Sequence, residues 1–364
     1  MQKNLTAWAE GLLRHMSPYI PVNLEVLGTS ASVPAFQRPT EPARFGQGVA
    51  ALTPCCFMPS PTPSAVPWWV ERAETLLASR DVRTLDLGAL WELFERLSFV
   101  QENVEPALLL LDVQARPELQ ALWDALETRA CAVTESLEAA GDDVARQLRT
   151  GALAPVHFRA QWEGLGFTEA TDRASTAADD WLEGLLRISR ITTGQNRPPC
   201  GQVNMASRAQ RISDFLSITR PGQHDTIYDL GCGNGKFAIT VAASTSARVK
   251  GVEYGQTYVE SARRTGERFA LANLEFIHAD VRDVDLSDGT AFYLFFPFWG
   301  EVAHAVARRL GAVARARDIT VYASGPRHDY GEHFLEQVSQ GALCLTPRRA
   351  DFADVMVLRS APRA

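Results

Sequence analysis

Apolar and polar residues alternate along this chain in two different rhythms. In the first half they follow a helical period. Leu87, Leu90, Trp91, Phe94 and Leu97 stand at i, i+3, i+4, i+7 and i+10, which is one face of a helix. Leu119, Leu122, Trp123 and Leu126 repeat the pattern behind Pro117, a residue suited to a first turn. Trp181, Leu182, Leu185, Leu186 and Ile188 mark a third helix. In the second half short apolar runs predict strands at Thr226–Leu230, Arg248–Glu253, Leu274–His278, Ala291–Phe296, Ile319–Ala323, Ala342–Leu345 and Asp354–Leu358. Helices are expected between each of the first five, and another at Glu332–Gln340.

Two stretches carry neither rhythm. Residues from about Gly28 to Pro67 are rich in Pro, Ser, Thr and Gly and read as an irregular segment, because proline removes donors and locks φ. The run from Thr192 to Gly201 has several breakers and no period, and is expected to be a domain linker. At 364 residues, two domains are expected. Residues 1–195 form a helical N-terminal domain in this reading. Residues 196–364 form an α/β domain, in which alternating strands and helices imply a doubly wound, mostly parallel, seven-stranded sheet. The last two strands have no helix between them, only Arg348 to Asp351, which suggests an antiparallel hairpin at the sheet edge.

Composition narrows this picture only modestly. Hydrophobic residues make up 46% and charged residues 22%, as in a globular protein. No apolar run is long enough to span a bilayer and the polar start lacks a signal-peptide core, so a cytoplasmic location without membrane contact is expected. The six cysteines show no C-x-x-C pair, and Cys55 and Cys56 are expected to stay reduced; no metal site is expected. The net charge of −7 lies in the N-terminal half, since from Gly201 onward 19 basic residues face 18 acidic ones. That balance argues against non-specific binding to nucleic-acid phosphates. Basic residues are nearly all arginine and alanine is abundant, a composition of GC-rich bacterial genomes.

The densest chemical signal is Asp229-Leu230-Gly231-Cys232-Gly233-Asn234-Gly235-Lys236, placed after an apolar strand and before a helix. Glycines there let the backbone turn tightly and approach a ligand. Glu253, an acid at the end of the next strand, is positioned to accept two hydrogen bonds from ribose hydroxyls. Two nucleoside cofactors fit such a site. Dinucleotide binders use G-x-G-x-x-G, whereas this loop reads D-x-G-x-G-x-G, with a closer third glycine.

That loop resembles motif I of the class I, Rossmann-like S-adenosylmethionine-dependent methyltransferases, and the resemblance extends over about 160 residues. It implies that Asp229 interacts with the methionyl ammonium group, with Gly231, Cys232, Gly233 and Gly235 around the cofactor. Glu253 and Tyr254 resemble the second motif, and His278-Ala279-Asp280-Val281 the third, in which an acid such as Asp280 contacts the adenine amino group. Phe295, Phe296, Pro297, Phe298 and Trp299 occupy the position of motif IV, beside the transferring methyl, with Phe295 counted to the cofactor site and the other four, with Tyr330, to the catalytic side. Phe296, Phe298 and Trp299 are candidates for an aromatic wall near the sulfonium, through cation–π attraction of about 1 kcal/mol. His304, His328, Asp329 and Tyr330 are candidate bases, and Lys236 is expected to be solvated. The phrases Gly251–Tyr254 and Phe292–Phe298 also resemble lysine methyltransferases of the Dot1 type.

Methyl transfer is an in-line displacement, so such a protein must align nucleophile, methyl and sulfur and exclude water. Motif IV here lacks the Asn or Asp that would accept an N–H, which disfavours nucleobase and glutamine acceptors and leaves amines, hydroxyls, thiols and carbon. The expected acceptor is a small molecule. A protein acceptor, a silent cofactor-binding scaffold and a nicotinamide dehydrogenase are the alternatives. The helical half would select substrate, close a lid or mediate formation of a homodimer.

Overall fold

A computed structural model describes residues 66–78, 81–109, 117–168, 175–188, 191–192, 204–295, 297–324, 334–346 and 355–362. The proline-rich segment lies outside these residues apart from Val66 and Pro67, which open the first helix. Cys55, Cys56, Cys200, the linker beyond Thr192 and the turn at Arg348 to Asp351 lie outside them as well.

The described residues of the N-terminal half are largely helical, as the periodicity predicts. They comprise α1 (Val66–Leu77), α2 (Leu87–Leu109), α3 (Pro117–Thr150), α4 (Pro155–Glu163) and α5 (Ala177–Leu186). Leu87, Leu90, Trp91 and Leu97 of α2 are buried, with Phe94 packed at their margin. Pro117 opens α3, but that helix runs 34 residues, far beyond the four predicted apolar positions. Its later turns present Val133, Leu137 and Ala145 inward and polar residues outward, a sparser stripe than a short window registers. α5 starts with a capping box: the Thr176 hydroxyl accepts from the Asp179 N–H while the Asp179 carboxylate accepts from the Thr176 N–H. A Cβ on Gly184 would lie 2.9 Å from Trp91 Cβ and 3.0 Å from the Leu87 carbonyl, so only glycine lets α5 approach α2 this closely.

After Ile188, two short strands, β1 (Ile191–Thr192) and β2 (Asn204–Met205), pair antiparallel, and α6 (Ala209–Thr219) follows. The sheet is then built from β3 (Thr226–Leu230), β4 (Arg248–Glu253), β5 (Leu274–His278), β6 (Ala291–Leu294), β7 (Thr320–Ser324), β8 (Leu343–Leu345) and β9 (Val355–Ser360). Its order is β5-β4-β3-β6-β7-β9-β8. β3 to β7 run parallel, and β9 pairs antiparallel with both β7 and β8. The expected edge hairpin is therefore present, with the last strand on its inner side. β6 is two residues shorter than predicted, because Pro297 follows and cannot extend the ladder.

The connecting helices are α7 (Lys236–Ser244), α8 (Gln256–Phe269), α9 (Gly300–Ala316) and α10 (Phe334–Val338). The helix expected between β5 and β6 is not formed. Residues 279–290 instead make turns in which Asp280 and Asp285 accept from the backbone N–H two residues on. Val281, Val284 and Leu286 of that connection fill the core under α9.

Every residue of α7 is buried. One side faces the sheet; the other is covered by Phe158 and Trp162 of α4, by α5, and by Ile212 and Phe215 of α6, all in one apolar cluster. The N-terminal helices thus share a continuous core with β3, β4 and β6. α9 and α10 cover the opposite face around Phe292, Val306, Leu310 and Leu343. Among the described residues no helix is long and apolar enough to cross a membrane.

Candidate functional site

β3 and β6 are neighbours although two strands intervene in sequence, so the direction of winding reverses between them. A crevice opens at the carboxyl ends of strands at such a switch point. The glycine loop lies there. Gly231, Gly233 and Gly235 adopt φ of 84°, 52° and 83°, backbone that favours glycine. The Gly231 and Cys232 N–H groups both donate to the Val252 carbonyl, at 2.8 and 3.0 Å, anchoring the loop to β4. A Cβ on Gly231 would lie 2.1 Å from Pro297 Cβ, so the turn after β3 touches the turn after β6 directly.

Two carboxylates flank this loop. Asp229, 3% exposed, has no hydrogen-bond partner for its Oδ2 among the described residues. Burial, and secondarily repulsion from Glu253, pushes its carboxyl well above the ordinary value. Glu253 accepts from the Gly233 N–H through Oε2 at 3.0 Å and from the Gly255 N–H through Oε1 at 2.8 Å. Its carboxyl is also raised by burial, with those N–H groups opposing the shift. Cys232 lies beside both acids, and burial chiefly keeps its thiol protonated.

The other predicted residues fall at varied depths. Tyr254 is 52% exposed on the far side of Glu253, and its carbonyl accepts from the His278 ring. Asp280 is engaged by Arg282, whose guanidinium lies 2.6 Å from Oδ2, and that contact holds its carboxyl below the usual range. Val281 and Phe298 are both buried in the core beneath α9, so the Phe298 ring is not an exposed wall. Phe295, Pro297 and Trp299 are half-buried, and Trp299 stands at the N-cap position of α9. Phe296, His328, Asp329 and Tyr330 lie outside the described residues. His304 is exposed on α9, edge-on to Phe334 at 4.9 Å. Tyr293, one strand position below Leu294, is core: it stacks on Phe237 at 3.7 Å and donates to Ser207 Oγ.

A further expectation is overturned. Lys236 is not solvated but 2% exposed, with Nζ 3.0 Å from Asp179 Oδ1 and 2.8 Å from Glu183 Oε1. Both acids come from α5, one turn apart on the face turned to α7. The signal for them was present in the sequence: Asp179 and Glu183 stand at i and i+4 among the apolar positions of α5, next to a third acid, Asp180.

A doubly wound sheet with this strand order, a glycine loop after its central strand and an acid ending the next is the arrangement that the resemblance to class I, S-adenosylmethionine-dependent methyltransferases implies. Residues 227–319 match the family described as Methyltransferase domain, and the chain carries such a domain. Among curated proteins, a 23S rRNA (uracil(1939)-C(5))-methyltransferase RlmD of Pectobacterium atrosepticum is 29% identical over 193 residues, 48% of this chain and 42% of the relative. An O-methyltransferase of Pyrenophora dematioidea is 34% identical over 120 residues, 33% of this chain and 44% of the relative. The chain thus spans less than half the length of these relatives. Among solved structures, an RNA methyltransferase from Salinibacter ruber in complex with S-adenosyl-L-homocysteine covers 43% of this chain and 92% of its own, with 18% identity and a TM-score of 0.30. Since one relative is named for an RNA acceptor and another for an oxygen acceptor, charge balance does not exclude nucleic acid.

Proposed function

We propose that the chain binds S-adenosylmethionine at the β3–β4 carboxyl ends and transfers its methyl group to a small-molecule acceptor near the turn after β6. The observation that carries the cofactor site is the buried, unpartnered Asp229 carboxylate oxygen beside a glycine turn closed against Pro297. A buried carboxylate oxygen without a partner is costly, and a ligand ammonium would relieve that cost. Asp229 is assigned to the methionyl ammonium, and the loop from Gly231 through Cys232 and Gly233 to Gly235 to the backbone cradle. Each Glu253 oxygen holds one N–H and retains a lone pair for a ribose hydroxyl. Tyr254 offers an exposed ring for the adenine, with Asp280 and Val281 at its edge; adenine contact by Asp280 would share that carboxylate with Arg282. When bound, the cofactor supplies an electrophilic methyl on a sulfonium centre.

Phe295, Pro297 and Trp299, with Phe296 and Tyr330, are assigned to the acceptor side. Their apolar character would exclude water and align the nucleophile. The helical half covers α7 and is assigned to acceptor selection. The likeness to RlmD supports a second reading, in which the acceptor is RNA. Pyrimidine C5 is a weak nucleophile that a thiolate would have to activate, and the protonated Cys232 is unsuited to that role.

The test is a calorimetric titration with S-adenosylmethionine, S-adenosylhomocysteine and NAD. It is followed by transfer of labelled methyl to fractionated small metabolites and to total RNA. Binding of both adenosyl ligands but not NAD, with label in the small-molecule fraction, is the expected result. Label confined to RNA overturns the acceptor assignment, and NAD binding alone overturns the site.

A further inference from the structure

The cluster of Lys236, Asp179 and Glu183 lies outside the cofactor contacts assigned above, yet it adjoins them. Lys236 directly follows Gly235, whose φ of 83° ends the glycine loop, and it is the first residue of α7. Asp179 is fully buried and Glu183 nearly so, at 0% and 1% exposure. Asp179 does more than pair with the lysine. Its Oδ1 also accepts from the Ala209 N–H at 2.7 Å, and its Oδ2 accepts from the Thr176 hydroxyl at 3.0 Å. One buried carboxylate therefore joins the starts of three helices, α5, α6 and α7. Two residues before Ala209, the Ser207 hydroxyl accepts from Tyr293 at 2.9 Å, pinning the same segment to the β6 side of the site.

Buried charges are expensive, and an apolar replacement of similar volume is often at least as stable. Such a cluster contributes direction: an ammonium between two fixed carboxylates holds the start of α7 at a set distance from α5. The glycine loop has little slack to absorb a shift. A Cβ at Gly235 would already lie 2.8 Å from Phe276 Cζ, and one at Gly231 would overlap Pro297. Movement of Lys236 therefore passes to Gly233 and Gly235.

We propose that Lys236 is a positioning residue, through which α5 of the N-terminal half holds the glycine loop in its cofactor-binding shape. The inference rests on the cofactor reading above. It implies that the helical half is coupled to cofactor binding without touching the cofactor.

The experiment uses the full chain and two variants: Lys236→Met, and the triple variant Lys236→Met, Asp179→Asn, Glu183→Gln. The triple variant removes the three charges of the cluster together and keeps the proposal testable if the single change prevents folding. S-adenosylhomocysteine affinity is measured by calorimetry, and hydrogen exchange of α5 amides is followed with and without ligand. In the wild type, ligand should slow exchange in α5, 177–186. In the triple variant, Kd should rise at least about tenfold and the slowing in α5 should vanish. A triple-variant Kd within twofold of wild type, or α5 slowing that persists, overturns the proposal even where the melting temperature falls. Wild-type chain that binds no ligand overturns the cofactor reading and this inference together, which separates the two failures.

Discussion

Asp229→Asn should raise the stability of the ligand-free protein while weakening the cofactor, because the same unpartnered oxygen is costly without ligand and useful with it. Asparagine keeps the shape of the 3%-exposed side chain and removes the charge. Relief of a buried charge next to Glu253 should add about 1 kcal/mol. At about 2.1 cal/mol/K per residue, that is a rise of about 1–2 °C in Tm. Loss of a hydrogen bond to a charged group, about 1.5–3 kcal/mol, should raise the Kd for S-adenosylhomocysteine by about 10–100-fold. With ligand at about 100 times the wild-type Kd, the wild type gains about 2.7 kcal/mol and the variant about 0.4–1.4. The order of melting temperatures should then reverse on adding ligand, which scanning calorimetry reads directly. The pH dependence has a definite sign. Burial raises the Asp229 carboxyl, so between the ordinary carboxylate value and its raised value the folded state binds more protons than the unfolded state. Wild-type stability should fall as pH rises through that window, and the advantage of the variant should grow with it and disappear in acid. A ligand-free variant less stable than wild type at neutral pH, or an unchanged Kd, would refute the reasoning.

Two further changes probe the frame around the site. Gly231→Ala places a Cβ 2.1 Å from Pro297 at a φ of 84°; strain of about 1–2 kcal/mol and overpacking of about 1–3 kcal/mol should lower the urea midpoint and abolish cofactor binding. Normal affinity in calorimetry would show that the turns after β3 and β6 are not in contact. Leu182→Ala removes a fully buried side chain of α5 from the core shared with α7, and should cost about 2–5 kcal/mol in a single urea transition. A loss below about 1 kcal/mol, or a separate transition for the helical half, would argue against a shared core.

Much of the α/β half was legible before any coordinates. β3, β4 and β5 match their predicted bounds and the β8–β9 hairpin stands at the expected edge. Burial along its whole length gives β3 an apolar run, whereas β4 and β5 mix buried apolar positions with half-buried and exposed ones. The glycine loop was legible for a similar reason: backbone at positive φ restricts its own residue type. The connection after β5 was misread as helical because the Asp280 and Asp285 side chains accept from the backbone N–H two residues on, and a pattern of apolar spacing does not register that competition. The reach of α3 was hidden by its sparse apolar stripe.

The strand–helix alternation, the glycine turn and the acid that ends β4 can be read along the chain, since each depends on residues near one another in it. The fold places Phe298 in the core under α9 instead of the crevice, and the segment after β6, which carries no strand or helical period, does not mark that face in advance. Only the tertiary structure decided the fate of Lys236, a residue that reads as a solvated helix-start cation until α5 delivers Asp179 and Glu183 from more than fifty positions away. Long-range pairing of this kind leaves no period in a sequence: the partners need only be close once the chain has folded.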